Sequence, residues 1–554
     1  MKNLSLLLLC TVLCIYAQSQ DFTVNWGQKF KEEKGEDLNR IIYDDGQNIY
    51  ASILINQDKF VLPGIVRMDN NLNEVKRVNI NTSVDNAYFL GIEYLGGNFI
   101  SLSSTYDKNS NSRELVASIV DPNLAIVKKD IKLWSFSGNK DESFNFLFKY
   151  SEDSTKFLVF VNPTQGKDQN ERFAFALFDK DLNKISEKKI ELPFTEKEFN
   201  LLDFSVTNSG DVYAFAKKYS GKKEKVKNAE GKVVAGYNLT LYRYSQDTSE
   251  REYNINLEDK FLVFDKNNKG YNQSIYPSHF HNLNTIGGGQ TTISNKVIHG
   301  NPYRLESDRS GNLYFIAFYE NEFEKGINGF VYYKIDSKTG NIISNYNWKV
   351  PTTLSMRLKT MENENNKSKE PAIGREFSFS DFIILDNKIF VVAEKNYSGV
   401  ISRPVVYGSS TGVSANYFFS YGMIVFELEK TGIVKWYSYV PKLQLNPNFT
   451  YYQYHTSFVK NDKLTILYND EPKNSGFFVN SPKPPEVFNN EVKMQFIMVS
   501  FNEKGKAERK VIGDNEQMET NIVILKSYQT KKDRFFLYGY QWRTKENKLG
   551  LATF

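Results

Sequence analysis

The sequence predicts an all-β fold, and three observations support this prediction. Aromatic residues are abundant, with 34 Tyr and 42 Phe, and such rings pack well on a pleated, half-buried surface. Segments with the alanine- and leucine-rich periodicity of helices are missing. Short strand-like runs instead alternate with polar turns rich in Asp, Asn and Gly, residues that tolerate the backbone of tight turns.

These runs form a four-strand unit that recurs along the chain. A first strand at residues 41–43 leads through the turn 44–48 (DDGQN) into a second strand, and a third and a fourth strand follow around another polar turn. Eight units can be traced by their second strands, which lie at 49–54, 99–102, 157–160, 212–215, 313–316, 389–392, 464–467 and 535–538. Four-stranded units that recur at roughly 50 to 75 residues are typical of the blades of a β-propeller.

The two ends of the chain predict how such a ring closes. The last unit stops after its third strand, at residues 549–554, and a strand at 22–26 would complete that sheet. Eight blades are favoured, and seven is the main alternative, because residues 261–301 fit either an inserted loop or a degenerate blade element. Two sandwich domains built from the same hairpins are a further alternative, although no Pro- or Ser-rich linker divides the chain.

Five irregular stretches interrupt the strands and are interpreted as loop insertions on one domain that spans residues 20–554. The stretch 354–374 is rich in Asn, Glu and Lys and is expected to be disordered. On a rigid scaffold, binding residues lie preferentially on such loops. The insertions are 220–236, 261–301, 354–374, 405–416 and 469–488.

The first nineteen residues resemble a secretory signal peptide. Lys2 supplies the charged start, and residues 6–15 form an apolar core that is too short to span a bilayer. Ala17 and Ser19 have the spacing that a signal peptidase recognises, so cleavage is expected after one of them. The sequence therefore predicts an exported protein.

Both cysteines of the chain, Cys10 and Cys14, lie inside this segment, so the processed chain has none. Disulfides, thiolate metal sites and a cysteine nucleophile are thereby excluded. A lipid anchor on either cysteine is an alternative, but Leu9 and Leu13 stand where that chemistry uses small residues. No later apolar run reaches the ~18 residues that a membrane-spanning helix needs.

Charge and motifs argue against several other chemistries. The net charge of +5 is small for 554 residues, so nucleic-acid binding is not expected. His279 and His281 would share one face of a strand, but no spacing fixes a third ligand, so no metal and no cofactor is predicted. No Gly-x-Ser-x-Gly elbow is present, and the 65 acidic residues define no particular glycosidase pair. No catalytic residue is predicted.

Two aromatic clusters supply the candidate binding residues: Tyr417, Phe419 and Tyr421 in one, and Tyr452 and Tyr454 in the other. Tyr and Phe side chains offer large contact areas with few rotatable bonds, which suits the recognition of proteins or glycans. The alternative is that both clusters are buried blade strands, which have the same composition.

Several stretches resemble a family of uncharacterised exported β-propeller-like proteins of Bacteroidetes. They are 191–194 (ELPF), 209–214 (SGDVYA), 380–384 (SDFII) running to 392–394 (VAE), and 468–474 (YNDEPKN). The resemblance covers about residues 170 to 480. It implies an exported, propeller-like protein and carries over no catalytic residue.

The leading hypothesis is a non-enzymatic periplasmic propeller that binds an envelope protein or an outer-membrane complex as a scaffold subunit. The chain ends on a blade strand, which favours retention in the periplasm over the type 9 secretion route; outer-membrane association and secretion stay open. The alternative is a carbohydrate-binding or glycosidase-like propeller.

Overall fold

The computed structural model describes the chain from residue 22 to residue 553 with internal gaps. The predicted signal peptide, His279, His281 and Tyr452 lie outside the described residues. The described residues are 22–33, 35–57, 60–84, 87–107, 110–137, 146–163, 170–195, 198–221, 225–227, 231–245, 250–255, 257, 260–263, 297–298, 300–321, 325–362, 370–402, 414–447, 453–477, 479–481, 485–488, 493–529, 534–541 and 543–553.

Apart from one two-stranded hairpin, the described strands form eight antiparallel sheets, numbered as blades 1 to 8, with four strand positions in each. Strand β1 (Thr23–Phe30) precedes blade 1 and belongs to blade 8. Blade 1 consists of β2 (Glu36–Asp44), β3 (Ile49–Gln57), β4 (Phe60–Met68) and β5 (Glu74–Asn79). Blade 2 consists of β6 (Tyr88–Leu95), β7 (Asn98–Asp107), β8 (Ser112–Val120) and β9 (Ile126–Ser137). Blade 3 consists of β10 (Leu147–Tyr150), β11 (Lys156–Val161), β12 (Asn170–Asp179) and β13 (Lys184–Thr195).

In blades 5, 6 and 8 two short strands share the first position. Blade 4 has β14 (Phe199–Val206), β15 (Val212–Tyr219), β18 (Tyr237–Tyr244) and β19 (Glu250–Ile255), and carries a separate hairpin of β16 (Lys225–Lys227) and β17 (Val233–Ala235). Blade 5 has β20 (Phe261–Leu262) with β22 (Tyr303–Ser307), then β23 (Leu313–Glu320), β24 (Gly329–Ile335) and β25 (Ile342–Lys349).

Blade 6 has β21 (Val297–Ile298) with β26 (Phe377–Ile384), then β27 (Lys388–Ser402), β28 (Ser414–Glu429) and β29 (Val434–Pro447). Blade 7 has β30 (His455–Lys460), β31 (Lys463–Asp470), β32 (Gln495–Phe501) and β33 (Ala507–Asp514). Blade 8 has β34 (Asn521–Ile522) with β35 (Tyr528–Gln529), then β36 (Arg534–Gln541), β37 (Glu546–Thr553) and β1. An α-helix, α1 (Thr352–Glu362), and two 3-10 helices (Pro472–Asn474 and Ile524–Lys526) lie between strands.

Apolar clusters join each blade to the next and return from blade 8 to blade 1. Aromatic rings meet across these junctions, with centroid distances of 4.8 Å for Tyr50 and Phe99 and 4.2 Å for Phe215 and Phe315. All eight residues of β23 are buried, which explains why second strands are apolar on both faces. The chain is an eight-bladed β-propeller, so the predicted eight blades are confirmed and the seven-bladed and sandwich alternatives are wrong.

The ring closes through its terminal strands. β1 pairs antiparallel with β37, and the register places Thr23 opposite Thr553 and Trp26 opposite Gly550. The closure predicted from the ends of the sequence is confirmed. Because β1 occupies the fourth position of blade 8, the first and the last described strands lie in one sheet, which removes a free edge.

The two faces of the ring differ in their connections. On one, called the turn face, every connection between first and second or third and fourth strands has two to six residues. Asn70, in the second kind of turn, donates from Nδ2 to the Gly46 carbonyl in the first kind, at 3.1 Å. All longer connections lie on the opposite face, called the loop face.

The turns between third and fourth strands share one backbone form. Asp69 accepts hydrogen bonds from the backbone N–H groups of Asn71 and Asn73, both at 2.9 Å, the self-bonded turn that Asp favours. One residue in each of the six described turns, those of blades 1 to 3 and 5 to 7, has a positive φ, a conformation that glycine adopts without strain. It is leucine in blades 1 to 3 and glycine in blades 5 to 7: Leu72, Leu124, Leu182, Gly340, Gly432 and Gly505.

Parts of the insertions have regular structure. Residues 354–362, expected to be disordered, belong to α1, because Leu354 and Leu358 lie one helical turn apart and are buried in the cluster between blades 5 and 6. The ends of 261–301 pair as β20 and β21; residues 264–296 and most of 405–416 lie outside the described residues. Within the described chain, no helix has both the length and the apolarity to cross a membrane.

Candidate functional site

Blade 6 is longer than the other blades. Its strands β27, β28 and β29 have 15, 16 and 14 residues, whereas the second strands of the other blades have six to ten. Pairing with β26 stops at Lys395, and the three strands continue on the loop face. We call residues 396–402, 414–421 and 442–447 the blade 6 extension.

Both edges of the extension are paired. β21 pairs with Tyr397 and Ser398 along one edge. Along the other edge, the Phe488 N–H donates to the Leu443 carbonyl at 2.9 Å, and the Leu445 N–H donates to the Phe488 carbonyl at 3.0 Å. These backbone hydrogen bonds hold the extension as part of a continuous sheet rather than as a free hairpin.

Alternation along the strands gives the extension two unlike faces. Tyr397 lies opposite Phe419, which lies opposite Leu445, and Tyr421 lies opposite Leu443. Opposed residues of an antiparallel pair share one face of a sheet. These five side chains are half-buried, and we call them the aromatic face.

The three rings of the aromatic face are stacked. The ring centroids of Tyr397 and Phe419 are 4.6 Å apart, and those of Tyr397 and Tyr421 are 5.7 Å apart, with interplanar angles of 14° and 10°. The Tyr397 hydroxyl donates to the Tyr421 hydroxyl at 3.3 Å, and Lys395 Nζ lies 5.1 Å from the centroid of the Tyr421 ring. The rings therefore present their edges and hydroxyl groups more than their flat surfaces.

The residues predicted from the sequence separate in the structure. Phe419 and Tyr421 belong to the aromatic face, whereas Tyr417 contributes a backbone position in β28 and its side chain is not among those described. Tyr454 lies behind the extension, and its N–H donates to Gln444 Oε1 at 2.9 Å. Burial, assisted by the Glu394 charge, raises the pKa of the Tyr454 phenol above its usual range. Tyr452 lies outside the described residues.

The opposite face of the extension is polar and buried. Glu394 accepts hydrogen bonds from Ser420 Oγ at 2.9 Å and from Asn396 Nδ2 at 2.7 Å, and it pairs with Lys442. Its Oε2 also lies 3.0 Å from Nδ1 of His455, which belongs to β30 of blade 7. A charged cluster therefore fastens the extension to the next blade.

His455 lies between two carboxylates. Its Nδ1 faces Glu394, and its Nε2 lies 2.9 Å from Asp381 Oδ2. Burial lowers the pKa of His455, but the Glu394 and Asp381 carboxylates outweigh burial and raise it to about 9. Burial raises the pKa of Glu394, but Lys442 and His455 outweigh burial and lower it. The imidazole is therefore protonated at neutral pH and donates from both nitrogens.

Asp381 and Lys442 complete the cluster. Burial raises the pKa of Asp381, but its hydrogen bond with His455 prevails and lowers it. Burial lowers the pKa of Lys442 more strongly than Glu394 raises it. Because the pKa values of Asp381 and Glu394 are both lowered, these two carboxyl groups stay ionised at neutral pH.

This cluster has a triad-like spacing without the chemistry of a triad. Ser380 Oγ lies 3.3 Å from His455 Nε2, so a serine, an imidazole and a carboxylate follow one another. A protonated imidazole has no lone pair with which to accept the serine proton, and Ser380 Oγ donates instead to the Val392 carbonyl at 3.0 Å. A glycosidase would need one neutral carboxylic acid, whereas the pKa values of Asp381 and Glu394 are both lowered.

Charged side chains also join first strands at other blade junctions, where these strands contact one another around the ring. Lys149 Nζ lies 3.4 Å from Asp203 Oδ1 between blades 3 and 4. Arg304 Nη2 donates to the Phe379 carbonyl at 2.8 Å between blades 5 and 6. The His455 cluster therefore belongs to a structural pattern. No group of three or more His, Cys, Asp or Glu side chains among the described residues is arranged to hold a metal ion.

Sequence reasoning missed Tyr397, Leu443 and Leu445 of the aromatic face. The alternation of Leu443, Gln444 and Leu445 is a local signal for a strand with one apolar face. Tyr397 has no such signal, because its contacts lie on a strand more than twenty residues away. Glu394, which directly follows the apolar run 389–393, and Lys442, which lies between Pro441 and Leu443, were detectable as charges next to buried positions that require partners.

Comparison with known proteins finds only remote likenesses. No protein-family model matches the chain, and no curated protein matches it. Similar solved structures include the β-propeller domain of the trilobed protease from Pyrococcus furiosus, at 8% identity and TM-score 0.31, over 86% of this chain and 97% of that chain. An α-L-arabinanase from Penicillium chrysogenum matches at 9% identity and TM-score 0.29, over 67% of this chain and 92% of that one. Likenesses this remote transfer no activity.

Proposed function

We propose that this propeller is a non-enzymatic binding protein whose aromatic face docks a protein partner of the cell envelope. One observation carries the proposal: five half-buried apolar side chains share one face of the blade 6 extension. Tyr and Phe side chains are enriched in the cores of protein interfaces, and Tyr is among the residues that most often contribute a large share of the binding energy.

The extension suits binding because it is held in place before a partner arrives. Both of its edges are paired, and its polar face is fixed by Glu394, Lys442 and His455. Ordering interface side chains costs about 0.5–1.5 kcal/mol each. Stacked rings in a continuous sheet have already lost most of their rotational freedom, so binding of a partner costs little further side-chain entropy.

The stacked arrangement favours a protein partner over a glycan. A sugar ring packs against the open flat surface of an aromatic side chain, whereas Tyr397, Phe419 and Tyr421 cover one another. Ring edges and hydroxyl groups, as displayed here, suit packing against side chains and hydrogen bonding to a backbone.

The proposed compartment is the periplasm, and the proposed partner is a subunit of an outer-membrane complex. Residues 1–19 read as a signal peptide, and residues 20–554 contain no cysteine, so folding after export requires no disulfide chemistry. The resemblance to exported proteins of Bacteroidetes supports the same compartment.

The proposal is tested by affinity purification of the tagged protein from gently solubilised envelopes, with the bound proteins identified and the complex rebuilt from purified parts. The variant Phe419→Ser/Tyr421→Ser removes two rings of the aromatic face. Tyr88→Ser is the matched control, because Tyr88 is 59% exposed on the loop face of blade 2.

We expect one stoichiometric envelope partner that binds the wild type and Tyr88→Ser equally and binds the double variant at least roughly tenfold more weakly. Unfolding by urea should show that the double variant is folded. A partner that binds all three proteins alike would overturn the role of the aromatic face. Binding to a glycan array that the double variant loses, with no protein partner, would establish the carbohydrate alternative instead.

A further inference from the structure

The outer edge of blade 5 is formed by β25, the fourth strand of that blade. β25 pairs with β24 along its inner edge, and among the described residues no backbone hydrogen bond reaches its outer edge. Its residues are exposed or half-buried, with Trp348 as the exception. The outer edge therefore presents backbone N–H and C=O groups to solvent, and such a row is a template for pairing with another strand.

The sequence of β25 lacks the features that protect a sheet edge. Lys349, at its last position, is its only charged residue, and it contains neither proline nor glycine. One register shift lies at its start, between Ile342 and Ser344, and the register is continuous from Ser344 to Lys349. Proteins blunt their edge strands with charged side chains, prolines and bulges, so a continuous edge without charge is open to pairing.

The other outer strands of the ring have such protection. Those of blades 1, 2, 3, 4 and 7 contain at least three charged residues each. β29 of blade 6 contains two prolines, and Phe488 covers part of its edge. β1 of blade 8 contains a glycine and a register shift between Trp26 and Lys29. Among the eight described outer strands, β25 is therefore the one with the least protected edge.

A groove lies beside the start of β25, between the outer parts of blades 4 and 5, and has a volume of about 390 Å³. Apolar side chains from both blades line it together with polar residues, and Ile342 is 43% exposed. Alternate side chains of a strand added to β25 would point toward blade 4, where the groove lies. Pairing would therefore bury apolar surface as well as satisfy backbone groups. The apolar residues of the groove are Leu241, Tyr253, Ile255, Ile335 and Ile342.

The position of the charge in β25 indicates which strand it pairs with. Two copies of one strand that pair antiparallel about a two-fold axis place residues near the middle of the strand opposite each other. Like charges in opposed positions destabilise a sheet. Because Lys349 stands at the end of β25, self-pairing sets it opposite uncharged residues at the start of the second copy.

We infer that β25 is the interface between two copies of this chain, and that two rings lie side by side, joined by antiparallel pairing of their β25 strands. β25 is the outermost strand of blade 5, so its edge lies at the circumference of the ring, where a second ring has access. Each copy then covers the groove of the other.

The inference goes beyond the proposed function, because it concerns the outer edge of blade 5 rather than the blade 6 extension. It stands whether or not the aromatic face binds a protein. A dimer presents two aromatic faces, so a partner that carries two copies of its own binding site would be held more tightly by the dimer than by a single ring.

The test is sedimentation velocity over a range of concentrations, with protein that lacks residues 1–19, the predicted signal peptide. The variant Asn345→Lys/Asn347→Lys places like charges in the middle of the edge, at two exposed positions. Asn25→Lys/Gln28→Lys is the matched control, because it adds the same charge at two exposed positions of another outer strand, β1. A third variant, Ile342→Ser/Ile343→Ser, removes exposed apolar side chains without a change of charge.

We expect the wild type and the β1 control to form dimers with the same dissociation constant, within concentrations up to about 100 μM. The lysine variant should raise that constant at least roughly tenfold, and the serine variant should raise it as well. Unfolding by urea should show that all variants are folded. A wild type that stays monomeric, an equal loss in the β1 control, or an unchanged constant in either β25 variant would overturn the inference.

Hydrogen exchange locates the interface directly. The amides of β25 should exchange more slowly at high than at low protein concentration, whereas those of β33, the outer strand of blade 7, should exchange at the same rate at both. Concentration-dependent protection of a different outer strand, with none at β25, would assign the dimer to that strand and overturn the inference.

Discussion

A single imidazolium ring joins two carboxylates of a neighbouring blade, and this residue shows how charge can be buried in the ring. His455 donates to Glu394 and Asp381, and Glu394 is also held by Lys442, Ser420 and Asn396. Buried ions lose several kcal/mol of hydration each, and only mutual attraction with complete hydrogen bonding offsets that loss. Removal of one member should therefore lower the free energy of unfolding by more than the complete cluster contributes to it.

The raised pKa of His455 predicts a pH dependence of stability. Its folded-state value of about 9 exceeds the ordinary value of 6.5, so its contribution is complete below pH 6.5 and is lost as pH rises through 9. The charged groups in contact with it are Glu394 and Asp381, and the charges of Lys442 and Arg304 act in turn on these two carboxylates. The difference in free energy of unfolding between the wild type and His455→Gln should fall by on the order of 3 kcal/mol across this range. A difference that stays constant from pH 6 to 9 would show that the ring is neutral in the folded protein.

Paired removal of charge provides a second prediction at this scale. Lys442 is fully buried beside Glu394. Lys442→Met and Glu394→Gln should each lower the free energy of unfolding by about 3–5 kcal/mol, because each leaves a buried charge without its partner. The double variant should be more stable than the sum of the two losses implies, as a double-mutant cycle by urea unfolding will show. Additive losses would mean that the two groups do not interact.

Among the elements, those with local signals were predictable and those with distant partners were not. The second strands are apolar runs bounded by turn residues, and the positive-φ glycines mark the turns, so the blade repeat could be read directly. Helix α1 was missed because its surroundings are polar, although Leu354 and Leu358 at helical spacing after Pro351 were a usable signal. The contacts of Tyr397 with Phe419 and Tyr421, and those of His455 with Glu394 and Asp381, join residues 22 to 74 positions apart, and no local pattern specifies such pairs.

Three glycines test how much a positive φ and close packing each contribute to stability. A Cβ at Gly432, where φ is +92°, would lie 2.2 Å from the Tyr332 ring; Gly97 has a φ of +86° and open space, and Gly476 has neither constraint. Gly476→Ala should change stability by less than about 0.5 kcal/mol, and Gly97→Ala should cost about 1–2 kcal/mol. Gly432→Ala should cost roughly 1–3 kcal/mol more than Gly97→Ala, because it adds overpacking. Thermal unfolding of the three variants measures the order, and equal losses at Gly97 and Gly432 would contradict the close packing of Tyr332.

For the molecule as a whole, stability depends on closure of the ring. Eight apolar clusters lie between blades in series, and residues 22–30 pack into two of them, with Phe22, Val24 and Trp26 in the cluster between blades 7 and 8 and Phe30 at the cluster between blades 8 and 1. Opening of the β1–β37 pair exposes one edge of each strand and removes these four side chains from the clusters, and we expect it to be the first step of unfolding.

A cross-link at the closure tests this view. The Oγ1 atoms of Thr23 and Thr553 lie 3.1 Å apart in paired positions, which suits a disulfide, and the chain after residue 19 has no competing cysteine. Oxidised Thr23→Cys/Thr553→Cys should be more stable than its reduced form by about 2–4 kcal/mol and should unfold more slowly in urea. The single variant Thr23→Cys is the control. Equal unfolding rates for the oxidised and reduced forms would show that closure is not the weak point.

The account that we propose for the molecule as a whole is that a closed ring supports the blade 6 extension, whose aromatic face is the docking site for a partner. The most direct measurement is site-specific photocross-linking in intact envelopes. A photoreactive phenylalanine analogue is placed at position 419 in the aromatic face or at position 88 in blade 2. The account predicts one discrete envelope-protein adduct from position 419 and none from position 88. No adduct from position 419, or the same adducts from both positions, would contradict it.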